Sequence, residues 1–332
     1  MIALNFGWSA AMNRIQTKTN LFRSFSPDAR YLIGVSGGRD SVALLRWLVD
    51  LGYRKLIVCH FDHHLRGRSS QADARFVKKL AAKYRADFQI GSANVRALAK
   101  KKRMSIETAA REARYSFFAK VAKRRRCRTI FLAHHADDLV ETFLLNLFRG
   151  AGTAGLAAMR DASTRRIDKF DLVVVRPFLG VWRKEIDIYL REQRLKFRED
   201  ASNKNLNPLR NRVRHRVIPY LEKMLGRNIR QNIWRTAVIA AEEENWIENQ
   251  LPDSSEVELP VAKLRDTPVA LQRRRILKWL RAQSVADVGF DLIERVRSLA
   301  ERDARIAKVN LPQDRHARSL GEGWCNLWLN EL

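Results

Sequence analysis

Five short apolar runs punctuate the first half of the chain: YLIGV (31–35), KLIVCHF (55–61), DFQI (87–90), TIFLAH (129–134) and LVVVRPF (172–178). Stretches of helical period separate them, such as Val42 to Leu51 and Ala72 to Lys83. Strands of this kind that alternate with helices pack as a parallel sheet with helices on both faces. The expected fold class is therefore α/β: a doubly wound, Rossmann-like parallel sheet. Ligands of such sheets bind beyond the carboxyl ends of the strands. His60, His63, His64, His134 and His135 all stand at or just after two of the runs, so that end of the sheet is where chemistry is expected.

From about Arg183 the strand pattern stops. RKEIDIYLREQ reads as a helix, REDASNKNLNP as a polar connection, and LRNRVRHRVIPYLEKML opens a helical run to about Glu248. NQLPDSSEVELP has linker composition, and the segment from about Val261 is mostly helical in pattern. These shifts divide the chain into an extension (1–29), a catalytic domain (30–205), a basic helical segment (206–250) and a small, mostly helical C-terminal domain (251–332).

With 332 residues, 46% hydrophobic and 30% charged, the chain can bury more than one core. No apolar run approaches the ~20 residues of a membrane span. The N-terminal MIALNFGWSAAMNRIQTKTN lacks the basic segment that precedes the apolar part of a signal peptide, so a cytoplasmic protein is expected. Cys59, Cys127 and Cys325 are an odd, sparse set with no close pair, which argues against a disulfide framework and a zinc ribbon.

The net charge is +27, from 63 Lys and Arg against 36 Asp and Glu. That excess favours a nucleic-acid partner over an anionic membrane surface. Residues 96–128, which include Lys123, Arg124, Arg125 and Arg126, form one basic region. Residues 208–235, with Arg210, Arg214 and Arg216, form another. Such cations fit phosphate contacts, which position RNA without reading its sequence, although charge runs are often only solvated faces. Trp234 and Trp246 read more readily as core aromatics than as base-stacking ones.

GVSGGRDS (34–41) follows the first strand. It lacks the lysine of the P-loop and the spacing of the dinucleotide fingerprint. Gly37 and Gly38 nevertheless open backbone conformations closed to other residues, and Ser36 and Ser41 add hydroxyls. The N–H groups of a helix start favour an anion, and Asp40 can hold a Mg2+ ion that bridges phosphate oxygens. A plain capped turn would explain the glycine pair but not the whole S-G-G-x-D-S string.

In AHHADDLVETFLLNL, Val140, Phe143, Leu144 and Leu147 mark one buried helical face. Asp137, Asp138 and Glu141 then share the first turn. One carboxylate can cap a helix; three beside two histidines suit Mg2+ or a cationic substrate better. A zinc site of His134, His135 and Asp138 with His60 or His63 is weaker, because no helix carries a paired H-E-x-x-H motif. In SIETAAREARYSFF, Ile106, Ala110, Ala113 and Phe117 form the expected buried stripe. Glu107 and Arg111 fit an ordinary helix pair. Arg114 has no equally obvious acid partner and fits a phosphate or a carbonyl.

SGGRDS resembles the pyrophosphate loop of the N-type ATP pyrophosphatases, which cut ATP between the α and β phosphates. Five further strings extend the likeness over most of residues 30 to 248: HFDHHLRGRSSQADA, IETAAREARYSFF, HHADDLVETFLLNLFRGAGTAGL, RPFL…RKEI and EDASNKNLNPLRNRVRHRVIPYL. Together they resemble the bacterial tRNA(Ile)-lysidine synthetase family. Leu139 stands where glutamine is usual, and Ala151 where Ser or Thr is usual. The C-terminal region looks like the version with one small helical domain.

The resemblance implies ATP and Mg2+ as cofactors, with free L-lysine and tRNA(Ile2) bearing a CAU anticodon as partners. ATP adenylates O2 of the wobble cytidine, and the amine of lysine then displaces AMP to leave lysidine. It implies Ser36, Gly37, Gly38, Arg39, Asp40, Ser41 and Arg212 on ATP, with Mg2+ on Asp40. Arg114 would stabilise charge at the α phosphate or the base. Asp137, Asp138 and Glu141 would receive the lysine ammonium, one of them taking its proton, with His134 and Arg111 as further contacts to lysine or cytidine. The remaining basic residues and the C-terminal domain would meet tRNA; a homodimer is left open. Two alternatives use the same loop: a thiolase, whose cytidine-modifying members carry Cys-x-x-Cys pairs absent here, and an RNA-binding relative with a dead nucleotide site.

Overall fold

In the structure, a computed structural model, the described residues are Met12, Ile15, 24–64, 68–198, 208–251, 258–301, 308–312, 315–319 and 324–328. Strand β1 (Tyr31–Gly34) leads into α1 (Arg39–Asp50), β2 (Leu56–Asp62), α2 (Arg68–Lys83), β3 (Asp87–Ser92), α3 (Val95–Lys102) and α4 (Ile106–Arg124). Then come β4 (Thr129–Phe131), α5 (Ala136–Leu147), the single turn α6 (Thr153–Leu156), β5 (Ala162–Ile167), β6 (Phe170–Val175) and α7 (Arg183–Glu192). The strands form one sheet in the order β3-β2-β1-β4-β6-β5. All neighbours are parallel except β5 and β6, which form an antiparallel hairpin at one edge.

The apolar runs are continuous because both faces of the sheet are covered. Side chains alternate between faces with a period of two. Ile33, Val58, Phe131 and Val175 pack on one face against Trp47 and Leu48 of α1, Val77 of α2 and Tyr189 of α7. Their neighbours Leu32, Ile57, Ile130 and Val174 pack on the other against Tyr115, Phe118 and Val121 of α4. The buried side of α4 thus differs from the expected stripe: Ile106 is exposed, and Ala109, Tyr115, Phe118, Ala119 and Ala122 are inside. The start of α4 packs Ala109 on Val95 and Ala99 of α3, while its later turns pack on the sheet.

Beyond α7, α8 (Leu209–Arg212), a π-helical turn (Val213–Val217) and α9 (Ile218–Leu225) run on without a break, followed by α10 (Ile229–Asn249). Val213, Ile218 and Ala237 close a core with Leu139, Val140, Phe143 and Leu144 of α5. Leu147, the last residue of the expected α5 face, is 46% exposed. Trp234 is packed in this core and its indole N–H donates to the Leu179 carbonyl at 3.1 Å, whereas Trp246 is exposed.

The chain divides into two compact units, residues 1–150 with 155–238, and residues 151–154 with 239–332. The second holds β7 (Glu258–Pro260), α11 (Val261–Arg265), α12 (Val269–Ala282), α13 (Phe290–Ser298), β8 (Lys308–Leu311), β9 (Arg315–Ser319) and β10 (Trp324–Trp328). Its core joins Ile276, Trp279 and Leu280 of α12 to Leu292 and Val296 of α13 and Val309 of β8. The expected helices are present. An antiparallel sheet in the order β7-β10-β9-β8 accompanies them and was not anticipated. Among the described residues no helix is long and apolar enough to cross a membrane.

Candidate active site

The chain steps from β1 to β2 and β3 on one side, then returns to β4 on the other side of β1. At such a switch the loops after β1 and β4 diverge and leave a crevice at the carboxyl ends. A cavity of about 640 Å³ opens there.

The loop after β1 is its floor. The Ser36 N–H donates to Ser41 Oγ at 3.2 Å, the Gly38 N–H donates to Ser36 Oγ at 3.2 Å, and the Ser41 hydroxyl donates to the Gly38 carbonyl at 2.9 Å. These bonds fix the loop from within. Gly37 holds φ at +90°, and a Cβ there would lie 3.2 Å from Val77 Cγ2. The Gly37 carbonyl accepts from the Arg198 N–H at 3.0 Å, which ties the chain after α7 to the loop. Helix α1 starts directly after Gly38, so the N–H groups of Arg39, Asp40 and Ser41 have no intrahelical acceptor. They form an anion site at the cavity floor.

Ser36, Gly38, Arg39, Asp40 and Ser41 line the cavity, as do Arg114, His134, Asp138 and Arg214. Asp40 Oδ1 is buried with no hydrogen-bond partner. Its Oδ2 lies 3.8 Å from His135 Nε2 and 3.6 Å from the Arg183 guanidinium. Arg114 Nε is buried and without a partner, and none of the ion pairs among the described residues involves Arg114. Burial pulls its pKa down. His134 is half-buried with its Nδ1 inside; desolvation, helped by Arg176, Arg114 and Arg210 against Asp138, pulls its imidazole down to about 3. It is therefore neutral at pH 7, and its Nδ1 has no partner.

The three acids of α5 have separate surroundings. Asp138 Oδ2 caps α5 by accepting the His135 N–H at 3.2 Å, and Oδ1 accepts from Arg214 at 3.3 Å. Burial would raise its pKa, but His135, Arg210, His134 and Arg214 outweigh that and hold the carboxyl well below the usual carboxylate range. Asp137 is turned away from the cavity; it accepts the Arg183 N–H at 3.0 Å and Arg230 Nη1 at 3.2 Å. Glu141 is fully buried. Its oxygens accept Arg210 Nε at 2.8 Å and Arg214 Nε at 2.5 Å. Arg210 and Arg214, expected on RNA, thus face inward on the α5 carboxylates.

Other candidates lie elsewhere. Arg111 is exposed, 5.8 Å above the Tyr115 ring. Arg212 and Arg216 are on the exposed side of their helical stretch. Lys123, Arg124, Arg125 and Arg126 sit where α4 turns toward the amino end of β4, the end of the sheet away from the crevice. There Arg125 pairs with Asp87 at 2.7 Å and Arg124 bonds Gln89. Among the described residues no group of three or more His, Cys, Asp or Glu is placed to hold a metal ion.

Sequence reasoning gave no role to Arg183, Arg198, Asp62 or Asp73, which also line the cavity. Arg198 pairs with Asp73. Arg183 and Asp62 lie within strings that carry the family likeness, which was the available signal. Asp73 lies in the same string as Asp62, but its pairing with Arg198, which lies in none of them, is made only by the fold.

A model of the PP-loop domain matches residues 11–221. A tRNA(Ile)-lysidine synthase from Thermosynechococcus vestitus is 33% identical over 330 residues, covering 96% of this chain and 92% of that protein. This chain belongs to the tRNA(Ile)-lysidine synthase family. The family member from Geobacter sulfurreducens is 37% identical over 304 residues; the match covers 87% of this chain and 63% of that protein's length. The match to the Solibacter usitatus member covers 65% of that protein, so the chain spans just under two thirds of these two tRNA(Ile)-lysidine synthases. In fold, the chain is similar to a U34-tRNA thiolase from Methanococcus maripaludis, with a TM-score of 0.50 at 15% identity over 74% of this chain and 80% of that one.

Proposed function

We propose that the protein joins free lysine to C2 of the wobble cytidine of tRNA(Ile) with a CAU anticodon, in the cytoplasm, with ATP converted to AMP and pyrophosphate. One observation carries this reading: a single cavity presents two buried charged-group atoms without a hydrogen-bond partner, Arg114 Nε and the carboxylate oxygen Asp40 Oδ1. Buried charges require partners. A nucleotide phosphate satisfies the first and its accompanying cation the second.

The Ser36–Ser41 loop and the start of α1 grip the β and γ phosphates. Asp40 is the residue that would hold Mg2+, which supplies neutralisation of the departing pyrophosphate. Arg114 faces the α phosphate. O2 of the cytidine attacks the α phosphorus, the bond to the bridging oxygen breaks and pyrophosphate leaves. An amine of lysine then attacks C2; the C2–O2 bond breaks and AMP leaves with that oxygen. Asp138, held ionised, attracts the ammonium but is too weak a base to take its proton. His134, neutral and with no partner on Nδ1, offers that atom as a hydrogen-bonding contact to lysine or cytidine in the cavity wall, and the ammonium proton passes to solvent water before the amine attacks. Glu141 and Asp137 act behind the cavity by fixing Arg210, Arg214, Arg183 and Arg230.

The experiment is incorporation of labelled lysine into an unmodified tRNA(Ile) transcript, with the tRNA(Met) transcript as control. Label in the first alone supports the assignment. Label in neither, or modification supported by sulfide instead of lysine, overturns it.

A further inference from the structure

The helical stretch from Leu209 to Leu225 has two faces. Arg210, Val213, Arg214, Val217, Ile218 and Leu221 are buried or half-buried, and Arg210 and Arg214 hold Glu141 and Asp138. The opposite face is exposed at Arg212, His215, Arg216, Tyr220, Lys223 and Met224. These positions recur at three- and four-residue intervals, which is one stripe of a helix. The stripe carries no acid; Glu222, on the flank, pairs with Arg230 at 3.3 Å.

Two large side chains interrupt the cations. Tyr220 is 61% and Met224 65% exposed, one turn apart. An aromatic ring and a thioether held out among arginines and a lysine match the chemistry of unpaired RNA bases: cations for the backbone, a flat apolar surface for the base. Arg214, on the same stretch, lines the cavity. At ~1.5 Å per residue Tyr220 lies on the order of 9 Å further along the helix axis, a span of two or three nucleotides at ~3.4 Å each.

We infer that Tyr220, with Met224, is a stacking platform for a base of the single-stranded loop that flanks the target cytidine, with Arg216 and Lys223 on its phosphates. The inference rests on the proposed RNA substrate and adds the residue that seats the neighbouring base. Tyr220 is a positioning residue: it touches a part of the substrate that does not react. Arg214 lies in the π-helical turn, which runs directly into the helix that carries Tyr220, so a loop seated outside is carried by the same helical stretch that orders Asp138.

The test compares wild-type protein with Y220A, Y220F and R216A on two RNAs, an unmodified hairpin bearing the CAU loop and a fully paired duplex. Y220A is expected to weaken hairpin binding on the order of tenfold, the value of one lost stack, and to leave duplex binding and the KM for ATP unchanged. Y220F keeps the ring and is expected to bind like wild type. R216A is expected to weaken both RNAs and to lower the salt slope by about one. The inference is overturned if Y220A binds the hairpin as wild type does, or loses hairpin and duplex equally. It is also overturned if Y220A changes the sedimentation of the RNA-free protein, which would make the stripe an interface between copies. Pyrophosphate release by the wild-type protein with ATP and tRNA separates the two levels. If it is absent, the proposed function fails; if it is present and Y220A binds normally, only the platform fails.

Discussion

Replacing Glu141 by glutamine removes a negative charge from a position with no solvent exposure. That charge is shared by Arg210 Nε at 2.8 Å and by Arg214 Nε and Nη2 at 2.5 and 2.9 Å. Glutamine can accept through one oxygen only, and its amide N–H groups then face guanidinium N–H groups. Breaking a buried ion pair costs about 3–5 kcal/mol because the remaining charge stays desolvated. Asp138, 3.3 Å from Arg214 and 3.6 Å from Arg210, compensates in part, which places E141Q near the lower figure. At ~2–4 °C per kcal/mol for a unit of this size, the melting temperature should fall by roughly 6–12 °C. Pyrophosphate release, assayed well below the melt, should fall with it, because Arg214 no longer orders Asp138. Thermal melting by circular dichroism alongside the release assay checks both. Unchanged melting with abolished turnover would refute the reasoning, since Glu141 would then act on substrate instead of on the two arginines.

Three other outcomes follow from the same geometry. G37A forces a Cβ onto a residue at φ +90° and 3.2 Å from Val77; it should cost about 1–2 kcal/mol and raise the KM for ATP, read by melting and kinetics. D40N removes a carboxylate whose Oδ1 has no partner, so melting should hold or rise while turnover falls roughly a hundredfold or more. The His134 imidazole is held at about 3 in the fold, against ~6.5 unfolded. The unfolded chain therefore binds the extra proton between these values, and the contribution is intact above pH ~6.5 and lost as pH falls toward 3. H134Q should make the stability profile in that window shallower by up to about 1.4 kcal/mol per pH unit, measured by urea unfolding at a pH series.

The sheet was legible where strands are buried on both faces: β1, β2, β4 and β6 announce themselves as apolar runs. β5 did not. ASTRRI alternates exposed and half-buried residues at an edge, and its turn uses Asp168 and Lys169, both at positive φ, in place of the usual Asn-Gly. The C-terminal strands are short and polar, as in RHARS, and carry no run long enough to notice. In the site, the loop and Asp138 could be found from local pattern, because a helix start fixes its own neighbours. The separate surroundings of Asp137, Asp138 and Glu141 could not: they depend on Arg183, Arg210, Arg214 and Arg230, which lie 46 to 93 residues away and arrive only when α7 to α10 dock on α5. The same docking turns Arg210 and Arg214 inward, so their place in a basic run did not foretell their surroundings.

The central claim is that the glycine loop grips a departing pyrophosphate while a base oxygen takes AMP. Omitting lysine isolates that step. Protein, ATP and unmodified tRNA(Ile) transcript should release about one pyrophosphate per bound tRNA and then stall with adenylate on the RNA. Release of ADP and inorganic phosphate, or pyrophosphate formed equally well without RNA, would contradict the account.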